Sequence, residues 1–218
     1  MPDACSTQGP HIGTDEAGKG DYFGPLVVAA AYADETALAR LPQAGVKDSK
    51  RISSTKRLWD LDKAVKQICP TFEVVVISPA RYNELIAKIG NLNHLLAWAH
   101  ARAIENVLEK QPRCGLAVAD QFGDEEYLQR SLMERGRRIT LVQRVRAEDD
   151  PVVAAASTLA RAAFIRALER LSAEVGLELP KGATHVLPAA REVYSKGGES
   201  LLGKVAKIHF KTTKQVVA

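Results

Sequence analysis

The stretch that decides the fold is GTDEAGKGDYFGPLVVAAAY, which occupies residues 13–32. Its first part, Ile12 to Glu16, is short and ends in two acidic residues. A glycine-rich connection follows, and Pro25 to Ala33 is then a continuous apolar run. Apolar runs of this length are typical of strands that are buried on both faces of a sheet. The stretch therefore predicts a β-hairpin whose second strand lies in the middle of a sheet.

The segments beyond this hairpin alternate between strand and helix patterns. Short runs rich in β-branched or apolar residues predict further strands at 72–78, 116–120 and 139–145. Apolar residues at helical spacing predict helices over 53–69, 80–110 with an interruption near Gly90, 124–135 and 151–173. Alternating strands and helices indicate an α/β protein with a mixed sheet covered on both faces. Trp59 and Trp98 lie at apolar helical positions, so we expect both in the core.

The composition is that of a soluble globular protein. The chain has 218 residues, of which 46% are hydrophobic and 26% charged, and its three cysteines lie far apart. That is enough apolar material for a core without disulfides or a structural metal. The N-terminus lacks the pattern of a secretory signal, and the longest apolar run is too short to cross a membrane. We expect a single domain over 1–218, cytoplasmic and without a membrane partner, in which residues 1–11 are flexible.

The charge is concentrated in a basic C-terminal segment, about residues 174–218. The net charge of +4 is weak evidence for a polyanionic partner by itself. Between residues 181 and 218, however, only Glu192 and Glu199 oppose the basic side chains. Those side chains are Lys181, Arg191, Lys196, Lys204, Lys207, Lys211 and Lys214. This pattern is compatible with binding to phosphates, and the alternative is a solvated basic tail.

Acidic residues stand at the ends of predicted strands. Asp15 and Glu16 end the first strand, Asp120 ends the strand at 116–120, and the run 148–150 precedes the helix at 151–173. The carboxyl ends of strands gather ligands in an α/β sheet. Clustered carboxylates repel one another unless a cation neutralises them, and hard divalent cations prefer oxygen ligands. Two such ions about 4 Å apart can flank a phosphodiester for attack by water.

Each of these acids also has an ordinary structural explanation. The Asp15–Glu16 pair could be a solvated turn, and Asp120 a turn residue or helix cap. The acidic run at 148–150 could complement the dipole of the helix that follows it. Spacing and composition leave both interpretations open.

The stretch 13–32 strongly resembles the opening of the type 2 ribonucleases H, and its GKGDYFGP part is similar to the ribonuclease HIII form. Further matches run in order along nearly the whole chain. They are DSKRIS at 48–53, NLNHLLAWAHARAIEN at 91–106, ADQF at 119–122, AEDDPVVAAASTLARAAF at 147–164, LPKGAT at 179–184 and AKIHFKTT at 206–213. The resemblance implies the ribonuclease H-like fold, a five-stranded mixed sheet flanked by helices, here with a C-terminal helical and basic extension. It also implies an endonuclease that cuts the RNA strand of RNA–DNA hybrids with two Mg²⁺ or Mn²⁺ ions, leaving 5′-phosphate and 3′-hydroxyl ends.

The resemblance also implies the site residues. Asp15, Glu16 and Asp120 match three of the family's four metal-binding carboxylates. The fourth lies in AEDDPVV, where the register is ambiguous; we choose Asp150, with Glu148 as the close alternative. Asp150 precedes a proline, which biases its backbone toward extended geometry.

The family's Gly-Lys-Gly loop matches Gly18, Lys19 and Gly20, where backbone amides would contact RNA 2′-hydroxyls. Ser49, Lys50 and Asn93 match positions that contact the nucleic-acid backbone. The alternatives are a solvated loop for Lys50 and a helix cap for Asn93. The resemblance implies that the helix of Ser157 and Thr158 lies by the active site, and the alternative is that their hydroxyls only donate to carbonyls of their own helix. His209 beside a phenylalanine is more simply a packed side chain, so it stays outside the catalytic set.

One departure from the resemblance concerns the N-terminus. Ribonuclease HIII proteins usually carry an additional substrate-binding domain before the acidic pair, whereas fourteen residues precede Asp15 here. We therefore expect that domain to be absent and the basic C-terminal segment to bind more of the substrate. Ribonuclease HII-like incision at single ribonucleotides is the alternative within the class, and a non-catalytic hybrid-binding module is the alternative outside it. A monomer is expected.

Overall fold

The computed structural model describes residues 9–46 and 54–217. Its strands are β1 (His11–Ala17), β2 (Leu26–Ala33), β3 (Phe72–Ile77), β4 (Leu116–Asp120) and β5 (Thr140–Arg144). They form one five-stranded sheet in the order β3-β2-β1-β4-β5. The pairs β1–β2 and β2–β3 are antiparallel, whereas β1–β4 and β4–β5 are parallel. The predicted hairpin and the mixed five-stranded sheet are therefore confirmed.

The helices are α1 (Glu35–Gln43), α2 (Thr55–Ile68), α3 (Pro79–Ile89), α4 (Leu92–Lys110), α5 (Glu125–Ser131), α6 (Pro151–Val175), α7 (Leu187–Val205) and α8 (Lys211–Val217). The sequence did not predict α1, whose N-cap is Asp34. The interruption predicted near Gly90 is confirmed, because Gly90 adopts a left-handed conformation and ends α3 before α4 begins. The C-terminal segment is helical, and α7 is kinked at Gly197 and Gly198.

Strand β2 is buried on both faces, and its side chains alternate between two cores. Val27, Ala29 and Ala31 face the core formed with α1, α2, α6 and α7. Leu26, Val28 and Ala30 face the core formed with α3, α4 and α5. This double burial explains why the run has no polar residue.

Helix α6 crosses the sheet directly over β1. A Cβ atom on Gly13 would lie 2.3 Å from the carbonyl carbon of Val152, so only glycine permits this approach. By length and hydropathy α6 could span a membrane, but 72% of its most apolar window is buried inside the structure. That burial is typical of the core helix of a globular domain.

Both tryptophans were predicted to lie in the core, and the structure agrees for Trp59 but not for Trp98. Trp59 is partly buried and packs against the core, with the guanidinium of Arg166 4.5 Å from its ring centre. Trp98 is 40% exposed, so its placement in the core was wrong. It lies on the outer side of α4, where helical spacing alone does not distinguish a core residue from its neighbour one position away.

The C-terminal segment is packed onto the domain. Val205, Ala206 and Val216 are buried, and Lys207 is completely buried. The other lysines and arginines between 181 and 218 are exposed. A fully solvated tail is therefore excluded, and at least one of its positive charges is directed inward.

Candidate active-site cleft

The carboxyl ends of β1 and β4 meet at one edge of the sheet, since these strands are parallel neighbours. A cleft of about 640 Å³ opens there. It is lined by Asp15, Glu16, Ala17, Gly18, Lys19, Gly20, Asp21, Asp120, Gln121, Phe122, Ser157, Arg161, Phe164, Ile165 and Lys181. The first three predicted carboxylates and the predicted glycine-lysine-glycine loop therefore lie together.

Asp15 is a buried acid of the cleft beside a second acid, Glu16. Its side chain is buried, and its Oδ1 accepts a hydrogen bond of 2.8 Å from the backbone N–H of Glu16. Ser157 of α6 also hydrogen-bonds to it. Burial and the neighbouring charge of Glu16 nevertheless raise the pKa of the Asp15 carboxyl to about 7. The protein alone therefore does not neutralise this carboxylate.

Glu16 is held by two basic side chains. His100 Nε2 lies 3.2 Å from its Oε2, and Lys19 Nζ lies 3.5 Å from its Oε1. Burial alone would raise the pKa of Glu16, but the hydrogen bond and charge of His100, with the help of Lys19, lower it. Glu16 is therefore ionised and oriented while its neighbour Asp15 is not fully compensated.

His100 was not predicted as a site residue, because it is 84 positions from Glu16 and lies within the apolar pattern of α4. Its Nδ1 is 2.9 Å from Thr14 Oγ1, whose own proton is donated to the carbonyl of Ala29. The two ring nitrogens of His100 thus connect Thr14 of β1 to the carboxylate of Glu16. Phe122 stacks on this ring at a centroid distance of 5.0 Å.

Asp120 is connected to the acidic run 148–150. Its Oδ1 accepts a 2.9 Å hydrogen bond from the backbone N–H of Ala147, the first residue of a 3-10 turn at Ala147–Asp149. Glu148 follows directly and is half-buried, whereas Asp149 is exposed. Glu148 is therefore the sequence neighbour of a residue that contacts a carboxylate of the cleft, although Glu148 itself is not among the residues that line the cleft.

Asp150 does not line the cleft. Its Oδ1 accepts hydrogen bonds from the N–H groups of Val152 and Val153, which makes it the N-cap of α6. Arg144 and His11 also donate to it, each at 3.1 Å. It precedes Ser157, which does touch Asp15, by seven residues, or about 10 Å along a helix. The structure thus brings Asp15, Glu16 and Asp120 together without Asp150, whose predicted metal role is not favoured by these contacts.

The proposed substrate residues fall into three groups. Gly18, Lys19 and Gly20 line the cleft, and Gly18 has a φ of +84°, with room for no side chain because a Cβ would lie 2.2 Å from the carbonyl oxygen of Pro25. Asn93 lies at the start of α4, against Gly123 in the loop that follows β4. The cap of α4 is Asn91, so the alternative interpretation of Asn93 as that cap is wrong. Ser49 and Lys50 lie outside the described residues.

Two further cationic side chains line the cleft, Arg161 of α6 and Lys181 of the loop after α6. The sequence did not single out Arg161, and it identified Lys181 only as part of the basic C-terminal segment. Together with Lys19 they supply positive charge around the acidic pair. His209 packs against the rings of Tyr82 and Phe210 and does not line the cleft.

The chemistry of the cleft suits a hard cation, since its donors are carboxylate oxygens. Within 9–46 and 54–217, no three acidic, histidine or cysteine side chains already stand in a metal-coordinating arrangement. The acids that line the cleft are therefore close to one another but are not a preformed cage.

Comparison with known proteins gives a consistent result. A family model described as Ribonuclease HII matches residues 12–213. Ribonuclease HIII of Protochlamydia amoebophila is 47% identical over 204 residues, which are 93% of this chain and 67% of the relative. Ribonuclease HIII of Chlamydia pneumoniae is 44% identical over 95% of this chain and 70% of its own length.

Solved structures give the same result. The crystal structure of Bst-RNase HIII in complex with Mn²⁺ has a TM-score of 0.88 and 34% identity, over 95% of this chain and 69% of that one. The ribonuclease H2 of Pyrococcus horikoshii OT3 has a TM-score of 0.80 at 23% identity, over 95% and 97% of the two chains, which is a likeness of fold.

Proposed function

Since the chain belongs to the ribonuclease HII family and is therefore a ribonuclease H-type endonuclease, we propose that its cleft hydrolyses the RNA strand of RNA–DNA hybrids with divalent cations. The observation that carries this proposal is the meeting of Asp15, Glu16 and Asp120 at one sheet edge, with the pKa of Asp15 raised to about 7 by burial and by Glu16. A cation would remove that electrostatic cost. The preference for Mg²⁺ or Mn²⁺ and the count of two ions belong to the proposal.

Asp15, Glu16 and Asp120 would hold the cations. When bound, such ions activate water and stabilise charge on the phosphate oxygens. The protein's own contribution is orientation: His100 and Lys19 fix the carboxylate of Glu16, and Ser157 donates to Asp15. These contacts hold the carboxylates in place before substrate arrives, which reduces the reorganisation that catalysis requires.

The fourth carboxylate of the proposed site is better assigned to Glu148 than to Asp150. Glu148 follows the residue whose N–H binds Asp120, whereas Asp150 accepts hydrogen bonds from two helix N–H groups, Arg144 and His11. A carboxylate with so many protein donors has little capacity left for a cation.

The loop at Gly18–Gly20 supports discrimination between RNA and DNA. Without side chains at its two glycines, the backbone can approach the sugar edge of a nucleic acid closely, and a 2′-hydroxyl both donates and accepts hydrogen bonds. Lys19, Arg161 and Lys181 supply positive charge for phosphates around the same cleft. We also propose that the exposed lysines of the C-terminal segment bind phosphates of the hybrid.

Cleavage assays on labelled duplexes that contain one, four or many consecutive ribonucleotides, each in Mg²⁺ and in Mn²⁺, test the proposal directly. We expect cleavage of the longer RNA runs and little incision at a single ribonucleotide, as in ribonuclease HIII. Efficient incision at the single ribonucleotide would support the ribonuclease HII-like alternative. Binding of hybrid without any cleavage would contradict the proposal and favour a non-catalytic module. A single-domain monomer in the cytoplasm stays a prediction.

A further inference from the structure

Lys207 is a buried cation for which the proposed hydrolysis has no use. Its side chain is completely buried, and its Nζ donates to the backbone carbonyls of Asp21 and Gly24 at 2.8 and 2.7 Å. The ring of Tyr82 lies 5.7 Å from the same nitrogen. Burying an ammonium group costs free energy, which two neutral carbonyls offset only in part. An apolar side chain of similar length would fill the same space without that cost.

The two carbonyls belong to the loop that lines the cleft. This loop, residues 18–24, starts at the end of β1, and Gly18, Lys19, Gly20 and Asp21 all line the cleft. Positions 21 and 24 lie between β1 and β2, beyond the last residue pair of that hairpin, so the β1–β2 ladder supplies no donor to their carbonyls. The lysine ammonium supplies donors at both places at once.

Further hydrogen bonds around Lys207 also join the loop 18–24 to the C-terminal segment. Lys207 donates its own N–H to the carbonyl of Tyr22, and Gly24 donates to the carbonyl of Val205. The hydroxyl of Tyr22 is 3.1 Å from Thr213 Oγ1 of α8. The loop is therefore bound to the C-terminal segment through main chain and side chains, across 186 positions of sequence.

The loop 18–24 is also hydrogen-bonded to Gly182, the residue that follows Lys181. Asp21 Oδ1 accepts a 2.6 Å hydrogen bond from the N–H of Gly182, and the N–H of Tyr22 donates to the carbonyl of Gly182. A shift of the loop would consequently move two cations of the cleft, Lys19 within it and Lys181 beside it.

We propose that Lys207 is a positioning residue for substrate: its buried ammonium holds the loop 18–24 in the conformation that contacts the hybrid, so that the C-terminal segment acts on the cleft through this loop. The inference rests on the proposed function of the loop in binding hybrid. It assigns Lys207 no contact with the reacting atoms. It predicts that loss of the ammonium weakens substrate binding, whereas loss of an exposed lysine elsewhere does not.

The test compares Lys207→Met with wild type in steady-state cleavage of a hybrid with a long RNA run. A displacement of about 1 Å in a positioning group can cost roughly 100-fold in rate. We therefore expect kcat/KM to fall about 10- to 100-fold, mainly through KM. Lys88→Met, an exposed lysine of α3, should match wild type. Leu41→Ala, a buried change in α1, controls for general loss of stability and should leave KM unchanged.

Amide hydrogen exchange of residues 18–24 gives a readout that does not depend on cleavage. Lys207→Met should accelerate exchange there well beyond the change in Leu41→Ala. If Lys207→Met does not fold, Tyr22→Phe removes only the hydroxyl contact with Thr213 and should raise KM roughly a few-fold, as expected for one hydrogen bond.

Unchanged KM together with unchanged exchange in folded Lys207→Met would overturn the inference. If wild-type protein fails to cleave hybrid while the exchange of 18–24 still depends on Lys207, the proposed function fails and the attachment of the loop stands. The two proposals are therefore tested separately.

Discussion

Asp15 and Asp150 are two buried carboxylates that lie against the same helix, α6. They differ in how many hydrogen-bond donors and positive charges surround them. Asp15 has one backbone donor, one serine and an acidic neighbour, and its pKa is raised to about 7. Asp150 has two helix N–H groups, Arg144 and His11. Burial of a carboxylate is therefore not by itself the mark of a metal ligand. In our proposal, the number of donors that the protein supplies distinguishes the candidate cation ligand Asp15 from Asp150, the N-cap of α6.

His11 makes this contrast sharper. Its Nδ1 is 2.8 Å from the carbonyl of Gly9, which can only accept, and its Nε2 is 3.1 Å from both oxygens of Asp150. Burial alone would lower the pKa of His11, but its hydrogen bonds to Asp150 and Gly9 and the charge of Asp150 raise it. Asp150 is thus paired directly with basic side chains, His11 and Arg144, whereas the direct hydrogen bonds to Asp15 come from the Glu16 N–H and from Ser157.

Asp15→Asn tests the metal-binding side of the comparison and should have the largest effect on activity. Removing this charge should lower kcat by about 1,000-fold or more, since the proposed cations lose a shared ligand. Thermal unfolding should occur at the same or a higher temperature, because the repulsion with Glu16 is relieved. Asp60→Asn, an exposed change on α2, is the control. Turnover near wild type in Asp15→Asn would contradict the metal assignment.

Asp150→Asn and Glu148→Gln separate the two candidates for the fourth ligand. Asp150→Asn leaves His11 and Arg144 without their buried partner, which should cost about 3–5 kcal/mol of stability. Its kcat at a temperature where it is folded should be close to wild type. Glu148→Gln should instead lower kcat strongly at nearly unchanged stability. Denaturant unfolding and initial rates measured on both variants decide the matter, and the reverse pattern would restore Asp150 as the ligand.

Lys207 is a buried basic side chain whose hydrogen-bond partners, the carbonyls of Asp21 and Gly24, are neutral. Burial lowers the pKa of Lys207 to about 7, although the charge of Asp21 opposes the shift. In the unfolded chain the pKa is near 10.5, so between pH 7 and 10 the unfolded state binds more protons. The free energy of unfolding should therefore rise with pH across this range, and that rise should be smaller in Lys207→Met.

Comparing wild type with Lys207→Met controls for the titration of the other groups. Other groups, such as His209 beside Lys207, titrate in both of them. Denaturant unfolding of wild type and Lys207→Met should be measured at several pH values from 6 to 10. Parallel stability curves would show that the buried lysine keeps its ordinary pKa.

The smallest expected effect concerns charge outside the cleft. Removing residues 204–218 would also remove buried Val205, Ala206 and Lys207, so neutralisation is the cleaner experiment. The triple change of Lys204, Lys211 and Lys214 to Gln should flatten the dependence of log Kd on log salt by up to about 0.9 for each phosphate that the variant no longer neutralises. The same change at Lys56, Lys63 and Lys88, which are exposed on α2 and α3, is the control. Equal slopes would show that the tail lysines are only solvated.

The sequence predicted much of the scaffold and missed elements for identifiable reasons. The apolar run at 26–33 and the alternation of strands and helices led to the correct sheet. Helix α1 was missed because it is short and contains Pro42, which weakens a helical pattern. The C-terminal extension was correctly predicted to be helical and basic, but the bounds of α7 and α8 and their packing onto the domain were not predicted.

By itself the sequence determined which acids end strands, and parallel pairing of β1 with β4 then brings Asp15, Glu16 and Asp120 to one edge. Only the tertiary structure decided which side chains pair with the buried carboxylates. His100 reaches Glu16 from 84 positions away, and His11 reaches Asp150 from 139. A local pattern records the periodicity of one element, whereas the partner of a buried charge is set by which elements pack together. The contacts of Asp150 at the cap of α6, from which we propose Glu148 in its place, are likewise a feature that the sequence does not show.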